Sequence, residues 1–181
     1  MKTRIMGMVM AALLLFVGST LWAAEAKIAY VDGQKIINES IRGKNAIKEL
    51  KQTYELKQQE ISKKEQEINR LREEISAQRL TMKEDVLTEM KARYQKEGTE
   101  LNRFMKDAQE EIKRKQITLF KPISNEIDAV IQSYGMEHGL DLILDKGNPV
   151  FLYGSQEIDV TDAILKIYDN QQVKGADKSG Q

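Results

Sequence analysis

The sequence of 181 residues has no cysteine, a single histidine and two prolines. Without cysteine the chain forms neither disulfide bonds nor thiolate metal sites, which is compatible with an oxidising compartment. One histidine is too few for the common zinc or nucleophile arrangements. The sequence also contains no glycine-rich phosphate loop. These absences argue against an enzyme and indicate no cofactor.

The few residues with catalytic chemistry have simpler interpretations. His138 precedes Gly139, where a helix is expected to end, so contact with the helix dipole or solvent exposure explains it. Asp141 and Asp145 lie four residues apart, and hence on one face of a predicted strand. Solvation at a strand end, or contact with a neighbouring subunit, explains this pair. We therefore predict no catalytic residue and no metal site.

The N-terminus has the pattern of an export signal. A basic start precedes an apolar run over residues 5–17, and small residues follow up to an A-x-A sequence that ends at Ala26. This pattern predicts a signal peptide over residues 1–26, cleaved after Ala26 or, as a second choice, after Ala24. An uncleaved anchor is the alternative, because the apolar segment approaches spanning length when counted through Trp22. The periplasm of a Gram-negative bacterium is the simplest location.

Residues 41–122 carry apolar side chains on a seven-residue repeat in two successive stretches. Two such stripes joined by a short break predict an antiparallel helical hairpin, the prong. About 39 residues in its first helix give a prong on the order of 55 to 60 Å long. The predicted seam between the two helices consists of Ile47, Leu50, Tyr54, Ile61, Ile68, Leu71, Ile75, Leu87, Met90, Tyr94, Leu101 and Phe104.

The break between the helices sets the register of the hairpin. Thr81 and Glu84 have the spacing of a capping box at the start of the second helix. Pivoting there, we expect five pairs to face each other: Leu71 with Met90, Ile68 with Tyr94, Ile61 with Leu101, Lys57 with Phe104, and Lys64 with Glu97. The last pair is predicted to be a polar contact that fixes the register.

Two residues predict irregularities in the long helices. Gly43 marks a loose joint in the first turns of the first helix. Pro122 predicts a kink in the second helix, because proline lacks an N–H and clashes with the carbonyl four residues earlier. The second helix is expected to end near Gly135 or Gly139.

Residues 27–40 and 123–170 predict a discontinuous β-rich body. Three strands are expected, near residues 27–32, 140–144 and 150–153, with the last two forming a hairpin. Asp159 is the expected N-cap of a closing helix, and residues 171–181 are expected to be disordered. The closing helix is expected to bury Val160, Ile164, Leu165 and Ile167, with Tyr168 as a further candidate. So small a sheet is marginal alone, so copies should join through its strands. The predicted oligomerisation residues are Ile28, Tyr30, Val31, Leu142, Leu144, Val150 and Leu152.

The formal net charge of zero conceals an uneven distribution. Residues 41–121 contain 20 Lys and Arg against 15 Asp and Glu, whereas residues 122–181 contain four against ten. The prong is therefore mildly basic and the C-terminal part acidic.

The motifs K-I-A-Y-V-D, G-L-D-L-I-L-D, P-V-F-L-Y and D-V-T-D-A-I-L-K, in this order around one charged hairpin, resemble the Skp/OmpH family of periplasmic chaperones over residues 27–169. The resemblance implies an α+β fold that is mostly α, and a jellyfish-like homotrimer whose strands share a small barrel. It also implies a holdase that encloses unfolded outer-membrane proteins between its prongs. The surplus of positive charge is modest here, so we expect only weak binding to a membrane surface or lipopolysaccharide.

Apolar residues off the seam are the predicted client contacts: Leu56, Leu80, Val86, Met105, Ile117 and Phe120. The alternative is that several of them thicken the hairpin interface, since single exposed apolar side chains are common.

A structural coiled-coil linker of the envelope without chaperone activity is the alternative function. A nucleic-acid binder is disfavoured, because Glu alternates with Lys along the hairpin where a basic stripe with aromatic platforms would be needed.

Overall fold

The structure is a computed structural model that describes residues 25–179. Almost all of the predicted signal peptide therefore lies outside the described residues; Glu25 and Ala26 are exposed. No helix within residues 25–179 is long and apolar enough to cross a membrane. The elements in chain order are β1 (Ile28–Val31), α1 (Gly33–Glu39), α2 (Ile41–Gln78), α3 (Glu84–His138), β2 (Leu142–Asp145), a short 3-10 turn (Gln156–Ile158) and α4 (Thr161–Ser179).

The predicted hairpin is confirmed. Helix α2 has 38 residues and packs along the first part of α3, which has 55. Ion pairs of Lys57 with Glu111 and of Lys115 with Glu49 show that the two helices run antiparallel. At about 1.5 Å of rise per residue, α2 is about 57 Å long. The mostly helical fold with a small strand pair agrees with the predicted fold class.

The predicted capping box at the hairpin turn is wrong. Helix α3 begins at Glu84, and its N-cap is Lys83, which makes no side-chain capping hydrogen bond. The Thr81 hydroxyl instead donates to the carbonyl of Gln78 at 3.2 Å. Thr81 therefore satisfies a carbonyl at the end of α2, and α3 starts two residues later than a Thr81 N-cap would place it.

Helix α3 runs through Pro122 and ends at the second of its two predicted stops. Gly139 follows the last helical residue with a φ of 60°, in the left-handed region that glycine adopts without strain. The N–H of Leu140 donates to the carbonyl of Gly135 at 2.9 Å, so the terminal carbonyls are satisfied by the chain itself.

Strands β1 and β2 pair in parallel, with Ile28 opposite Leu142 and Val31 opposite Asp145. A parallel pair needs a crossover connection, and here the whole prong supplies it. The predicted hairpin of residues 140–144 with 150–153 is wrong, since 150–153 form no strand in this chain. Successive turns between residues 145 and 151 use the backbone groups that an antiparallel ladder would need.

The hydrophobic core lies in the base, where the roots of the prong meet β1 and the closing helix. The predicted burial in α4 is confirmed for Ile164 and Tyr168, which are fully buried, whereas Val160, Leu165 and Ile167 are half-buried. The predicted N-cap is one residue early, because α4 begins at Thr161 and the Val160 carbonyl accepts the first helical hydrogen bond. The Asp159 carboxylate nevertheless accepts a hydrogen bond from the N–H of Thr161 at 2.9 Å. The buried members of the core are Val31, Ile36, Ala46, Ile123, Ile127, Val130, Ile164 and Tyr168.

The predicted disordered tail is instead helical as far as Ser179, because α4 continues through residues 171–179. The segment contains no proline, and Gln172 donates from its amide to the Glu126 carboxylate at 3.2 Å. This contact joins α4 to α3 one turn beyond the buried Tyr168.

The chain is closely packed around Gly43, so the predicted loose joint is wrong. The N–H of Gly43 donates to the Ser40 hydroxyl at 3.1 Å, and Ser40 is fully buried. A Cβ at Gly43 would lie 1.6 Å from the carbonyl oxygen of Ile37. Glycine is therefore required because α1 crosses directly over the first turn of α2.

One carboxylate ties the two roots of the prong to the closing helix. Glu126 of α3 lies 2.6 Å from Arg42 of α2, and it accepts hydrogen bonds from Tyr168 at 2.9 Å and Gln172 at 3.2 Å on α4. Burial, and then the nearby Glu126 carboxylate, raise the pKa of the Tyr168 hydroxyl. This hydroxyl therefore stays protonated and available as a donor.

We expect Glu126→Ala to lower the free energy of unfolding by about 2 kcal/mol, because it leaves the Arg42 and Tyr168 donors unpaired. Glu110→Ala is the matched control, since among residues 25–179 Glu110 pairs only with Arg114, on the surface of its own helix at 3.7 Å. That change should cost less than about 0.5 kcal/mol. Urea unfolding at one protein concentration measures both, and equal losses would contradict the role of Glu126.

Candidate functional site

The candidate site consists of two exposed apolar surfaces, one along the prong and one on the base. On the prong, five of the predicted client contacts are exposed: Leu56, Leu80, Val86, Met105 and Ile117. Leu80 lies in the turn at the tip and is 92% exposed. These side chains are spread over both helices and do not converge on one pocket.

Phe120 lies elsewhere than expected for a client contact. It packs against the core of the base, because it shares a helix face with the buried residues Ile123 and Ile127. The sequence could have indicated this, since the spacing of three and seven residues continues the apolar face of α3 into the base.

The predicted seam residues lie along the contact of α2 with α3, but they are buried unequally. Leu71 is buried, as is Ala108 of α3, whereas Ile47 and Tyr54 lie at the edge of the interface and are 38% and 55% exposed. The other predicted seam residues are half-buried, namely Leu50, Ile61, Ile68, Ile75, Leu87, Met90, Tyr94, Leu101 and Phe104.

Two lysines interrupt the seam in its middle, and they contact one aromatic ring. The Nζ atoms of Lys57 and Lys64 lie 5.7 and 5.6 Å from the ring centroid of Phe104, within cation–π distance. Lys57 also pairs with Glu111 at 2.9 Å, and this hydrogen bond raises the pKa of the lysine. The charged seam residues are therefore held by an aromatic face and a carboxylate.

The predicted contact of Lys64 with Glu97 is wrong, although Lys57 does reach Phe104 as expected. Glu97 lies beside Leu71, closer to the tip of the prong than Lys64. The later start of α3 accounts for the direction of this shift, because it moves the α3 residues relative to α2. The incorrectly predicted N-cap at Thr81 therefore also accounts for the incorrectly predicted register.

On the base, one face of the two-stranded sheet is apolar and open. Ile28, Leu142 and Leu144 are each between 41% and 46% exposed, whereas Val31 on the other face is buried in the core. Tyr30 is also buried, because its ring is covered by Phe151 at a centroid distance of 4.9 Å.

The segment after β2 extends the open surface of the base. Val150 and Leu152, predicted to lie in a strand, are largely exposed, as is Tyr153. The segment is fixed at its far end, where the N–H of Val160 donates to the carbonyl of Tyr30 at 3.0 Å. Its apolar side chains are therefore presented beside the open sheet face.

The residues with catalytic chemistry have structural contacts. The His138 ring stacks on Tyr134 and its Nδ1 lies 2.9 Å from the carbonyl of the same residue. Asp141 accepts from the N–H of Lys27 at 2.7 Å, and Asp145 accepts from the N–H of Gly147 at 3.0 Å. Among residues 25–179 no group of three or more potential ligands is placed to hold a metal ion.

These features define a class of protein in which a long helical hairpin projects from a small α/β base, with apolar side chains exposed on both. The chain belongs to the family of OmpH-like outer membrane proteins, whose model matches residues 27–168. The family resemblance noted in the sequence is thereby confirmed.

A solved structure has the same fold. It is the crystal structure of a candidate outer membrane chaperone (OmpH-like) from Caulobacter crescentus CB15, with a TM-score of 0.71 and 17% sequence identity. The similarity covers 86% of this chain and 91% of that chain. No curated protein sequence matches this chain significantly.

The segment between β2 and α4 is anchored next to the Asp159 carboxylate, and this anchoring depends on pH. Burial alone would raise the pKa of Asp159, but hydrogen bonds from the Thr161 hydroxyl and N–H, with the Lys146 charge, hold this pKa below its usual value. A carboxyl group whose folded pKa is lowered contributes stability above its unfolded pKa of about 3.9 and loses it as the pH falls through the folded pKa.

We therefore expect Asp159→Asn to lower the free energy of unfolding by about 1 kcal/mol at neutral pH, because a neutral amide oxygen accepts weaker hydrogen bonds than a carboxylate. The deficit should be smaller once the pH is below about 4. Asp128→Asn is the control, because Asp128 is exposed and makes no side-chain hydrogen bond or ion pair within the described chain. Denaturant titrations of both variants at neutral and acidic pH measure this. A deficit for Asp159→Asn that is equal at both pH values would refute the linkage.

Proposed function

We propose that the protein is an ATP-independent holdase chaperone of the periplasm, which keeps unfolded outer-membrane proteins from aggregating during transit. The observation that carries this proposal is the set of exposed apolar side chains distributed along both helices of the prong. Membership of the OmpH-like family, and the similarity in fold to a candidate outer membrane chaperone, support the same conclusion.

The dispersed surface of the prong suits an unfolded client. A strand of an outer-membrane barrel alternates apolar with polar residues and aggregates while it is unfolded. Separate exposed side chains such as Leu56, Val86 and Ile117 offer many weak contacts over a helix about 57 Å long. Flexible Met105 adapts to different side chains. The mildly basic prong adds a long-range attraction to acidic clients.

Release of the client needs no nucleotide in this mechanism. Because each contact between client and prong is weak, it forms and breaks rapidly. Each apolar segment of the client therefore dissociates from the prong when that segment enters the membrane and folds. The sequence supports this, because it carries no phosphate-binding loop. The surplus of five positive charges on the prong supports only a weak attraction to membrane surfaces or lipopolysaccharide.

The proposal includes a homotrimer joined through the base. Ile28, Leu142 and Leu144 form one contiguous apolar sheet face, and Val150 and Leu152 lie in the adjoining segment. A two-stranded sheet with an open face and open edges is poorly stable alone. Association with other copies would cover the apolar face and provide hydrogen-bonding partners for the edges. Three prongs on one hub would then enclose a space for the client.

We expect the wild-type protein to suppress light scattering when a denatured outer-membrane barrel protein is diluted. Changing Leu56, Leu80, Val86, Met105 and Ile117 together to serine should raise the concentration needed for half-suppression at least about fivefold, because small losses at many contacts add. The matched control changes Met136 and Val173, which are exposed apolar residues outside the prong. An inactive wild-type protein would favour the structural linker and contradict the holdase.

The subunit arrangement is tested with Leu142→Glu combined with Leu144→Glu. We expect sedimentation to show a trimer for the wild type and a shift towards monomer for the variant, because carboxylates on the sheet face are unpaired and desolvated in the interface. Circular dichroism should show that the long helices remain. A wild-type protein that stays monomeric, or a double variant that stays trimeric, would contradict this interface.

A further inference from the structure

A groove runs along one edge of the prong, about halfway between the base and the tip. Its walls are Tyr54 and Ile61 of α2 and Met105, Ala108 and Ile112 of α3, and its volume is about 340 Å³. In each helix the wall residues include a pair spaced by seven positions, so they lie in one line along the hairpin. The groove therefore follows the edge of the interface between α2 and α3.

The described chain leaves this edge uncovered. Tyr54 and Met105 are 55% and 43% exposed, although both carry large apolar side chains next to the seam. Gly98 continues the same line of α3 towards the tip, and a Cβ built there would meet nothing within 4 Å. Glycine inside a helix costs about 1 kcal/mol relative to alanine, and no close packing within the described chain explains it here.

The polar groups around the groove favour a partner with a negative charge. Its lining includes Lys57 and Lys106 and no carboxylate. Lys57 is neutralised by Glu111, but Lys106 makes no ion pair within the part of the chain that the structure describes. The amides of Gln58 and Gln109 complete the rim and can donate to or accept from an extended backbone.

We propose that this groove binds an aromatic side chain of a non-native polypeptide that carries a carboxylate on a neighbouring residue. The ring would lie between Tyr54 and Met105, where aromatic and sulfur–aromatic contacts are both available. The carboxylate would pair with Lys106. This inference rests on the proposed chaperone function and names the chemistry that the prong prefers.

The test uses short unstructured peptides with a fluorescent label and the full mature protein. One peptide contains a central Phe-Glu pair, and two matched peptides replace this pair with Ala-Glu or Phe-Lys. We expect the Phe-Glu peptide to bind at least about fivefold more tightly than either of the others, as judged by fluorescence anisotropy. Equal binding of all three peptides would overturn the proposal.

Three variants locate the binding site. Met105→Glu should weaken binding of the Phe-Glu peptide at least about tenfold, because it places a like charge and a polar group in the groove. Met136→Glu is the matched control, since Met136 is an exposed methionine of the same helix outside the prong, and it should leave binding unchanged. Met105→Leu should retain most of the binding. Equal losses in Met105→Glu and Met136→Glu would overturn the assignment of the site.

A charge reversal tests the partner for the carboxylate. Lys106→Glu should weaken binding of the Phe-Glu peptide and strengthen binding of the Phe-Lys peptide. A merely structural role of Lys106 would not produce these opposite effects. The control is Lys113→Glu, an exposed lysine of the same helix that does not line the groove. An equal response to both reversals would mean that only the general charge of the prong matters, and would overturn the role of Lys106.

Aggregation assays with the same proteins separate this inference from the chaperone function. If the wild type suppresses scattering but shows no preference among the peptides, the groove proposal fails and the holdase stands. If the wild type does not suppress scattering, the holdase fails. A sedimentation mass that falls for Met105→Glu and not for Met136→Glu would show that the groove is a contact between copies of the chain, which also overturns the proposal.

Discussion

Two helices packed side by side bury only one narrow stripe of each, and this geometric limit determines the surface of the prong. Leu71 and Ala108 lie in the centre of the stripe and are buried, whereas Tyr54 and Met105 lie at its edge and remain accessible. A third helix along the prong would cover them. The other described helices, α1 and α4, pack at its root instead. Apolar exposure is thus built into a two-helix arm.

An arm of this length needs a firm attachment, and the base provides one at both roots. The parallel pairing of β1 with β2 makes the prong an insertion whose two ends leave from one small body. Gly43 allows α1 to cross the start of α2 at contact distance, and Glu126 joins α2, α3 and α4 through one carboxylate. The seam itself is interrupted by lysines, and most of the buried apolar side chains lie in the base.

The sequence predicted the long helices and some of their ends, but it missed the chemistry of the hairpin turn and the pairing of strands that are distant in sequence. The heptads located both long helices, and Asp159 and Gly139 marked helix ends by their own chemistry. Thr81 matched a capping box, but its hydroxyl bonds to the preceding helix, and the register was misplaced accordingly. The partner of β2 was also missed, because β1 lies more than a hundred residues earlier and a nearby apolar segment offered a simpler hairpin.

The two exposed surfaces differ in how their apolar side chains are arranged, and this separates their roles. On the base, Ile28, Leu142 and Leu144 are adjacent on one sheet face, so a partner that covers one also covers the others. Such contiguous patches favour a stable, specific interface. On the prong, Leu56 and Val86 lie apart from each other among charged residues, so they do not form one contiguous apolar patch. Under the proposed function, a client would make only weak and brief contacts with these side chains, which would allow the prong to hold and release different chains.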